Sequence, residues 1–378
     1  MAALNEEQTL IRDQAKSWAT EQAPVRRFRE MRDARLPTAY TPETWASMVE
    51  MGWTGILVPE EFGGSDLGYL TFGLILEELG KQLTASPLLA SALVGTSAVV
   101  LGGSAAQKQA WLPGIVDGSA ILTLAVDEGA RHAPLKTALT ATRKGDGFVL
   151  DGGKTFVLEG MAATAFVVAA RTSGSPGDAP GISLLLVPAD ARGLTRTARS
   201  SADSRGYADL QLKGVEVGSD ALLGELDAGF PLLDAVLDRG RTGIAAEMLG
   251  TAGAAFAMTL EYLKTRKQFG RVIGSFQALG HRASDMYSGM ELSRSCMEAA
   301  LQAIDADADN VAELVSLAKT KVGDYLHLTS NEMIQMHGGI GMTDEYDAGF
   351  YLKRARALEA TWGNQAFHRE RYARILGY

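Results

Sequence analysis

The sequence predicts a mainly α-helical protein with a central β unit, and two changes of pattern along its 378 residues carry this prediction. Apolar residues recur with helical spacing over residues 1–118, short β-type runs separated by turns occupy residues 119–226, and long helical patterns return over residues 227–378. We take these three ranges as domains. Long helices joined by short connections predict an antiparallel bundle for the last one.

In the first range, Thr41-Pro42-Glu43 predicts a helix start, because Thr is a common N-cap and Pro suits the first helical position. A second helical pattern begins near Leu70, and Gly80 is expected to end it. The first range is therefore predicted to be helical.

In the second range, the alternating residues 137–142, the turn at Gly145-Asp146-Gly147 and the following apolar run predict a β-hairpin. Residues 121–126, 165–170 and 182–187 are further runs of strand length. The Gly-, Ser- and Pro-rich residues 173–181 predict a mobile surface loop between two of these strands.

In the third range, an apolar stripe from Leu232 to Leu263 predicts one long helix. Ser275 is expected to cap a second helix, and a third is predicted from about Val311 to His337.

Composition limits the class of protein. Hydrophobic residues make up 46% of the chain, which indicates a packed globule, and the net charge of -9 argues against nucleic acid as the main partner. The single cysteine, Cys296, is interpreted as core packing, and no residues have metal-ligand spacing. Residues 1–7 contain no secretory signal, and no uncharged apolar run reaches about 18 residues, so we expect no membrane span and a cytoplasmic protein.

Two motifs in the third range have the chemistry of a nucleotide site. In Arg266-Lys267-Gln268-Phe269-Gly270 a guanidinium fork suits a pyrophosphate and an aromatic ring suits a base, and Gln277 adds an amide nearby. In Gln335-Met336-His337-Gly338-Gly339-Ile340-Gly341 the glycines allow a ligand to approach backbone N–H groups, and His337 is interpreted as a helix-end histidine. Taken singly, the first motif also fits a solvated basic helix end and the second an ordinary helix C-cap.

Together with Tyr351-Leu352-Lys353-Arg354-Ala355-Arg356 and Trp362-Gly363-Asn364, these motifs resemble the C-terminal signature of the acyl-CoA dehydrogenase family, flavoenzymes that oxidise the α and β carbons of acyl thioesters. The resemblance covers nearly the whole chain. It implies the acyl-CoA dehydrogenase fold: an N-terminal helical domain, a barrel- or sandwich-like middle β domain and a C-terminal four-helix bundle. It also implies FAD as cofactor, an acyl-CoA thioester as substrate, a tetramer with FAD sites at its subunit interfaces, and an electron-transferring flavoprotein as acceptor.

The resemblance also implies which residues contact FAD. In the family, the residues matching Arg266 and Phe269 reach the adenine-dinucleotide part of a neighbouring subunit's FAD. Further cofactor contacts are implied at Gln277, Gln335, Gly338, Gly339 and Asn364.

The isoalloxazine half of the implied site departs from the family pattern. Asp127, after Val126, replaces a Thr, Phe156 replaces a Trp that packs on the flavin, and Leu158 replaces a Thr whose hydroxyl bonds it. We therefore expect these four residues to line a degraded ring site. Asp127 is expected either to point at the ring or, like Glu128, to face solvent or pair with Arg131.

The family's catalytic base is missing from both of its usual positions. A Glu normally precedes the glycine that here is Gly363, and Trp362 stands there; in other members it occupies the position of Gly240. Glu359 is the remaining substitute candidate. Asp238 and Arg241 are implied on the CoA-binding side, and a surface ion pair explains them equally well.

Three functions remain open. The chain resembles the small, Glu-lacking subunits of heteromeric acyl-CoA dehydrogenases, those of pimeloyl-CoA dehydrogenases among them, in Gly341-Met342-Thr343-Asp344-Glu345-Tyr346 and Trp362-Gly363-Asn364. In that case a partner chain supplies the Glu. The alternatives are a self-sufficient homotetramer with an unusual base and a scaffold of the same fold that binds no flavin.

Overall fold

The computed structural model describes residues 4–378, so residues 1–3 of the segment searched for a secretory signal lie outside the described residues. Long helices dominate both ends of the chain. The α-helices are α1 (Glu6–Gln22), α2 (Val25–Ala34), α3 (Pro42–Glu50), α4 (Gly68–Lys81), α5 (Thr96–Gly102), α6 (Ala105–Val116), α7 (Phe230–Thr265), α8 (Gln277–Asp305), α9 (Val311–His337), α10 (Ala348–Ala360) and α11 (Gln365–Ile375).

The strands lie between α6 and α8. They are β1 (Leu122–Ala125), β2 (Thr140–Lys144), β3 (Gly147–Leu158), β4 (Ala165–Arg171), β5 (Ile182–Pro188), β6 (Leu194–Arg199), β7 (Tyr207–Val217), β8 (Leu222–Leu223), β9 (Lys267–Gln268) and β10 (Arg271–Val272). The main sheet has the order β6-β7-β3-β2-β4-β5-β8, with β1 beside β4, and β9 pairs separately with β10. The mainly α fold with a central sheet is confirmed.

The core of the sheet follows from its sequence. Every residue of β1 and β4 is buried, which fits their continuous apolar runs, and the two strands pair in parallel. The predicted hairpin is confirmed as β2 and β3, which pair antiparallel around Gly145, whose φ is +63°.

The described residues divide into two compact units. One contains residues 4–30, Tyr69–Thr84 and Arg241–Tyr378, and the other contains Met31–Gly68 and Ala85–Gly240. The first unit holds most of the long helices and the second holds the main sheet. The predicted domain limits at 118 and 226 remain a prediction.

Two predicted helix signals have different outcomes. Thr41 caps α3 as predicted, because its Oγ1 accepts a hydrogen bond from the backbone N–H of Thr44 at 3.2 Å. Gly80 does not end α4, which continues through Lys81. A Cβ on Gly80 would lie 2.5 Å from the carbonyl oxygen of Glu247, so this glycine allows α4 and α7 to approach closely.

The approach of α4 to α7 is reciprocal. A Cβ on Gly250 of α7 would overlap the carbonyl oxygen of Glu77 on α4. The Oγ1 of Thr251 donates to the carbonyl of Gly80 at 3.3 Å. Two glycines, one on each helix, therefore form a close seam inside the first unit.

Of three further expectations, the cap at Ser275 is wrong, and the surface loop and helix α9 lie where they were predicted. Ser275 does not cap α8: Phe276 occupies the N-cap, and the Ser275 hydroxyl donates to the carbonyl of Val272 at 2.7 Å. The loop at 173–181 lies mostly on the surface between β4 and β5, as predicted, and its mobility remains a prediction. The guanidinium of Arg171 donates to its carbonyls at Asp178 and Pro180 at 3.0 and 2.9 Å. Helix α9 runs from Val311 to His337 as predicted.

Helix α7 has the length and apolar composition of a membrane-spanning helix. Of its most apolar window, 72% is buried inside the protein, as in the core helix of a globular fold. Its apolar stripe is therefore used for packing.

Candidate functional site

The residues predicted to contact a dinucleotide lie at one end of the first unit. Helix α7 ends at Thr265, and β9 and β10 form a short antiparallel hairpin directly after it. Phe269 lies at the tip of this hairpin with φ +52°, and 90% of its surface is exposed. A left-handed backbone is uncommon for a bulky residue, so the hairpin holds this ring outward at a conformational cost.

Aromatic and basic side chains stack beneath this hairpin. The ring of Phe276 lies edge-to-face against Phe269 at 6.2 Å, and the guanidinium of Arg271 lies 4.0 Å above Phe276. Arg266 and Gln277 are both exposed. Phe269, Phe276 and Arg271 thus form a contiguous aromatic and basic cluster, and the exposed Arg266 and Gln277 are adjacent to it in sequence.

The C-terminal end of α9 lies against the C-terminal end of α7. The rings of Tyr262 and His337 are 4.4 Å apart, and the Nε2 of His337 lies 3.0 Å from the hydroxyl of Tyr346. Burial lowers the pKa of His337, which fits its interpretation as a neutral helix-end histidine. Gln335 on the same helix is exposed.

The glycines after α9 are open to a ligand. Gly338 has φ +64°, and a Cβ on Gly338 or Gly339 would meet no atom within 4 Å. An open surface cavity of about 450 Å³ lies beside this end, lined mainly by apolar atoms of Ala257, Met258, Glu261, Tyr262, Thr265 and Tyr346. We call the six exposed residues of this region the exposed end: Arg266, Phe269, Gln277, Gln335, Gly338 and Gly339.

Residues 361–364, the Trp362 turn, join α10 to α11, and the two central residues, Trp362 and Gly363, are buried. Trp362 is 6% exposed and has φ +51°. Its carbonyl oxygen accepts hydrogen bonds from the Nε of Arg241 at 3.1 Å and from the Nε2 of His368 at 3.3 Å. The indole at the family's base position is therefore a packed core residue.

Lys319 and Asn364 complete the contacts of this turn. Lys319, which is 1% exposed, donates to the carbonyls of Leu358 and Gly363 at 3.0 and 3.1 Å. Asn364 uses its Oδ1 to cap α11 through the N–H of Phe367 at 3.0 Å. The cofactor contact predicted for Asn364 remains a prediction.

Asp238 and Arg241 do not form a surface ion pair. They are 3% and 0% exposed, so that interpretation is wrong. The Arg241 guanidinium also lies 5.4 Å from the ring centre of Phe367, which places it inside the packing of the Trp362 turn. Gly240, the alternative base position, is likewise buried and offers no carboxylate.

Glu359, the substitute base, is held by neighbouring side chains. Its carboxylate forms an ion pair with Arg356, lies 3.1 Å from the Nδ1 of His327 and accepts from the amide of Gln365 at 3.3 Å. A general base needs a free lone pair aimed at its substrate. This arrangement is typical of a structural ion pair.

In the second unit, the two carboxylates after β1 have partners that the sequence did not predict. Asp127 lies 2.9 and 3.0 Å from the Nδ1 of His132, and Glu128 forms an ion pair with Lys154 at 2.7 Å. Pairing with Arg131 is therefore wrong, whereas Glu128 is exposed to solvent, as expected, while it pairs with Lys154. Both carboxylates are therefore fixed in the loop that was expected to line the flavin ring.

Lys154 joins β3 to this loop. It is 2% exposed and donates to the carbonyl of Val126 at 3.0 Å, and the N–H of Thr155 donates to the carbonyl of Asp127 at 2.7 Å. Burial lowers the pKa of Lys154, and the carboxylate of Glu128 opposes this shift. Val126 and Asp127 are thus brought beside β3.

Phe156 and Leu158 face different surroundings. Phe156 is 43% exposed with φ +52°, and the Arg199 guanidinium lies 4.3 Å from its ring centre. Arg199 is held by Asp209 at 2.6 Å. Leu158 is only 7% exposed, so of these two side chains only the Phe156 ring is accessible to a ligand.

Four contributors were missed from the sequence: Lys319, His368, His132 and Arg199. A signal existed for Lys319, because it lies on the buried side of α9 between Val315 and Val322 at helical spacing. The other three depend on partners that local pattern does not reveal. Within residues 4–378, no group of three or more His, Cys, Asp and Glu side chains could hold a metal.

In comparisons with known proteins, three successive parts of the chain match domain models of the same protein family. Family models described as the N-terminal, middle and C-terminal domains of acyl-CoA dehydrogenase match residues 5–119, 126–216 and 227–377. A probable acyl-CoA dehydrogenase, YngJ of Bacillus subtilis, is 31% identical over 379 residues, which covers 99% of this chain and 98% of that protein.

Two further relatives extend this match. A cyclohex-1-ene-1-carbonyl-CoA dehydrogenase of Geobacter metallireducens is 30% identical, covering 100% of this chain and 99% of that protein. A chain in the crystal structure of the ChsE4-ChsE5 complex from Mycobacterium tuberculosis has a TM-score of 0.89 at 27% identity, covering 100% of this chain and 99% of that chain. The similarity therefore extends over the whole length of these proteins.

Proposed function

The chain belongs to the acyl-CoA dehydrogenase family, and on that premise we propose that it is an FAD-binding subunit in the α,β-oxidation of an acyl-CoA thioester. In this proposal a partner chain supplies the catalytic carboxylate. The family is FAD-dependent. When bound, FAD accepts the hydride that leaves the β carbon.

One observation carries the proposal: the position of the base holds a buried indole, whereas the side chains of the exposed end that suit a cofactor are open to solvent. Trp362 is 6% exposed and Phe269 is 90% exposed. An indole accepts no proton from carbon, and loss of general-base catalysis alone removes roughly 10²–10⁴-fold in rate. The chain thus keeps groups suited to the cofactor and lacks the group for proton abstraction.

The exposed end fits the dinucleotide part of FAD. Arg266 offers a guanidinium for a pyrophosphate, Phe269 offers a ring face, and Gln277 and Gln335 offer amides. The open backbone at Gly338 and Gly339 can present N–H groups to phosphate oxygens. Because the phenyl ring projects away from its own unit, we propose that it meets FAD held mainly by a neighbouring chain.

The ring half fits FAD less completely. Val126, Asp127 and Phe156 are proposed to lie along the isoalloxazine ring, and buried Leu158 adds no hydroxyl. The Asp127 carboxylate is engaged by His132, which limits its repulsion of a reduced, anionic ring. Asp238 is proposed on the CoA side. Arg241 donates to the carbonyl of Trp362, which favours a role in the turn over contact with CoA.

The proposed assembly is a tetramer, with two kinds of chain or one, that hands electrons to an electron-transferring flavoprotein in the cytoplasm. The relative in the ChsE4-ChsE5 complex supports the version with two kinds of chain. A homologous chain with Glu at the position of Trp362 would be the partner.

The test compares this chain alone with the chain co-produced with such a Glu-bearing homologue. We expect the chain alone to oxidise acyl-CoA with an artificial acceptor at least 100-fold more slowly than the pair. The pair should also hold more FAD, measured by its visible absorption spectrum. Arg266→Met should reduce this FAD content, whereas the matched exposed substitution Lys264→Met, at the end of α7, should not.

Two outcomes would replace the proposal. Rapid turnover by the chain alone that disappears in Glu359→Gln would establish a self-sufficient enzyme. Colourless protein that takes up no FAD in either preparation would establish a scaffold. Slow turnover gained by Trp362→Glu in the chain alone would support the proposal, because it would restore a carboxylate at the missing position.

A further inference from the structure

Three buried basic side chains, each from a different helix, hold the Trp362 turn. Arg241 of α7, Lys319 of α9 and His368 of α11 are 0%, 1% and 0% exposed. All three direct nitrogen atoms at backbone carbonyl oxygens of the turn or of the last residues of α10. Basic side chains are rarely buried unless hydrogen bonds satisfy them, so the convergence of three of them on one turn suggests a specific role.

Lys319 is the member that joins the two sides of Trp362. Its Nζ donates to the carbonyls of Leu358 and Glu359 before the turn, at 3.0 and 3.4 Å, and to that of Gly363 after it, at 3.1 Å. These carbonyls bracket residue 362 along the chain. One side chain therefore fixes the peptide units on both sides of the indole.

We propose that Lys319 is a positioning residue that sets where the side chain at position 362 lies, and that it does so in a pH-dependent manner. The inference deepens the proposed function, since it concerns the side chain that stands at the position of the base. Its readout requires neither flavin nor a partner chain.

The charges around Lys319 explain the pH dependence. Burial, followed by the nearby positive charge of Arg241, lowers the pKa of Lys319 to about 7, and the carboxylate of Glu359 on α10 opposes this shift. His368 faces it from α11, and burial together with Arg241 and Lys319 lowers the pKa of His368, which keeps that ring neutral. An ammonium group has three N–H donors and a neutral amine has one fewer. With three carbonyl acceptors, deprotonation therefore leaves one of them without its donor.

The test uses Trp362 as its own reporter. The chain has five tryptophans, so the emission of Trp362 is obtained by subtracting the spectrum of Trp362→Phe from that of the full-length wild-type chain at each pH. We expect this difference spectrum to shift in wavelength with a midpoint near pH 7, the pKa of Lys319. The same subtraction is then made with proteins that all carry Lys319→Met, a substitution that removes the amine and keeps a side chain of similar length. The shift should be absent from that difference spectrum.

Two further variants complete the design. Lys321→Met changes an exposed lysine on the same helix and should keep the midpoint. Lys319→Arg keeps a positive charge at every pH tested, so the Trp362 emission of this variant should stay at its low-pH wavelength up to pH 9. This variant keeps the test decisive even if Lys319→Met folds poorly. If Lys319 had a purely structural role, its substitution would change the melting temperature and leave the midpoint of the pH-dependent Trp362 emission unchanged.

A Trp362 signal that is constant from pH 5.5 to 9 in the wild type would overturn the inference, as would a midpoint that persists in Lys319→Arg. Loss of flavin binding or of acyl-CoA turnover would overturn the proposed function and leave this emission result unchanged. The two failures are therefore distinguishable.

Discussion

The exposed end and the Trp362 turn lie in the same unit and use the same residue types in opposite ways. Each has an arginine, an aromatic residue with positive φ and a glycine: Arg266, Phe269 and Gly338 in the first, and Arg241, Trp362 and Gly363 in the second. In the turn these groups are buried and contact one another, and Arg241 donates a hydrogen bond to the carbonyl of Trp362. At the exposed end the phenyl and guanidinium groups face solvent, which leaves them open to a ligand.

The difference predicts which property a substitution changes in each region. Substitutions in the turn should appear mainly as lost stability, because its contacts are internal. Substitutions at the exposed end should leave stability nearly unchanged and appear in cofactor retention. Matched pairs of variants test this separation directly.

The two aromatic residues give the largest expected contrast. Trp362→Ala should lower the free energy of unfolding by about 3 to 5 kcal/mol, because it leaves a cavity where an indole is packed. Phe269→Ala should change it by less than about 0.5 kcal/mol, because 90% of that residue is exposed. Urea unfolding of both variants measures the contrast, and similar losses would show that the two regions do not differ in this way.

The two glycines give the next contrast. A Cβ at Gly363, whose φ is +108°, would lie 2.5 Å from the Cδ1 of Phe367, so Gly363→Ala should cost about 2 to 3 kcal/mol. Gly339→Ala meets no atom within 4 Å and should cost less than about 0.5 kcal/mol. Thermal unfolding measured by circular dichroism checks both. A stable Gly363→Ala protein would mean that the turn can rearrange.

The two arginines should separate stability from binding. Arg241→Met leaves the buried carbonyl of Trp362 without its 3.1 Å donor, and we expect a loss of about 2 kcal/mol. Arg266→Met should keep the wild-type unfolding midpoint and lose FAD absorbance in the purified assembly. A large loss of stability in Arg266→Met would place that guanidinium within the internal packing and contradict the distinction.

The smallest effect concerns acid. Burial lowers the pKa of His368 below its usual value of 6.5, and its Nδ1 is a buried atom with no hydrogen-bond partner among the described residues. As the pH falls below 6.5, the His368 imidazole takes up a proton in the unfolded chain but stays neutral in the folded protein. Stability is therefore lost with falling pH, by at most about 1.4 kcal/mol per pH unit for this one proton.

His368→Gln should flatten this loss between pH 6.5 and 5, as measured by urea unfolding at each pH. His281→Gln, which changes an exposed histidine of α8, is the matched control and should keep the wild-type slope. Parallel slopes for His368→Gln and the wild type would show that the ring is protonated in the folded protein.

Local signals in the sequence were sufficient for much of the fold. The limits of α9, the Thr41 cap and the β2–β3 hairpin follow from residues within a few positions of one another. The family resemblance located both regions compared here. It could not tell that Asp127 pairs with His132, because that pairing depends on how the loop closes.

The failures share a physical cause. Gly80 was interpreted as a helix end because its distant neighbour, the carbonyl of Glu247, is invisible in local sequence. Ser275 was expected to cap α8, but its hydroxyl is used three residues earlier, at Val272. Lys319 was overlooked because lysine is normally a surface residue, and only its place among Val315, Ala318 and Val322 marks it as buried.

The glycine seam between α4 and α7 limits how this protein can be divided. Residues 69–84 are remote in sequence from Arg241–Tyr378, yet they belong to the same compact unit and meet it backbone to backbone. A C-terminal fragment produced without them would expose the groove around Gly250 to water and leave Glu247 beside an empty space. The segment from Tyr69 to Thr84 is therefore an integral part of the helical unit, and proteolysis between Thr84 and Arg241 should release no C-terminal bundle that stays folded without this segment.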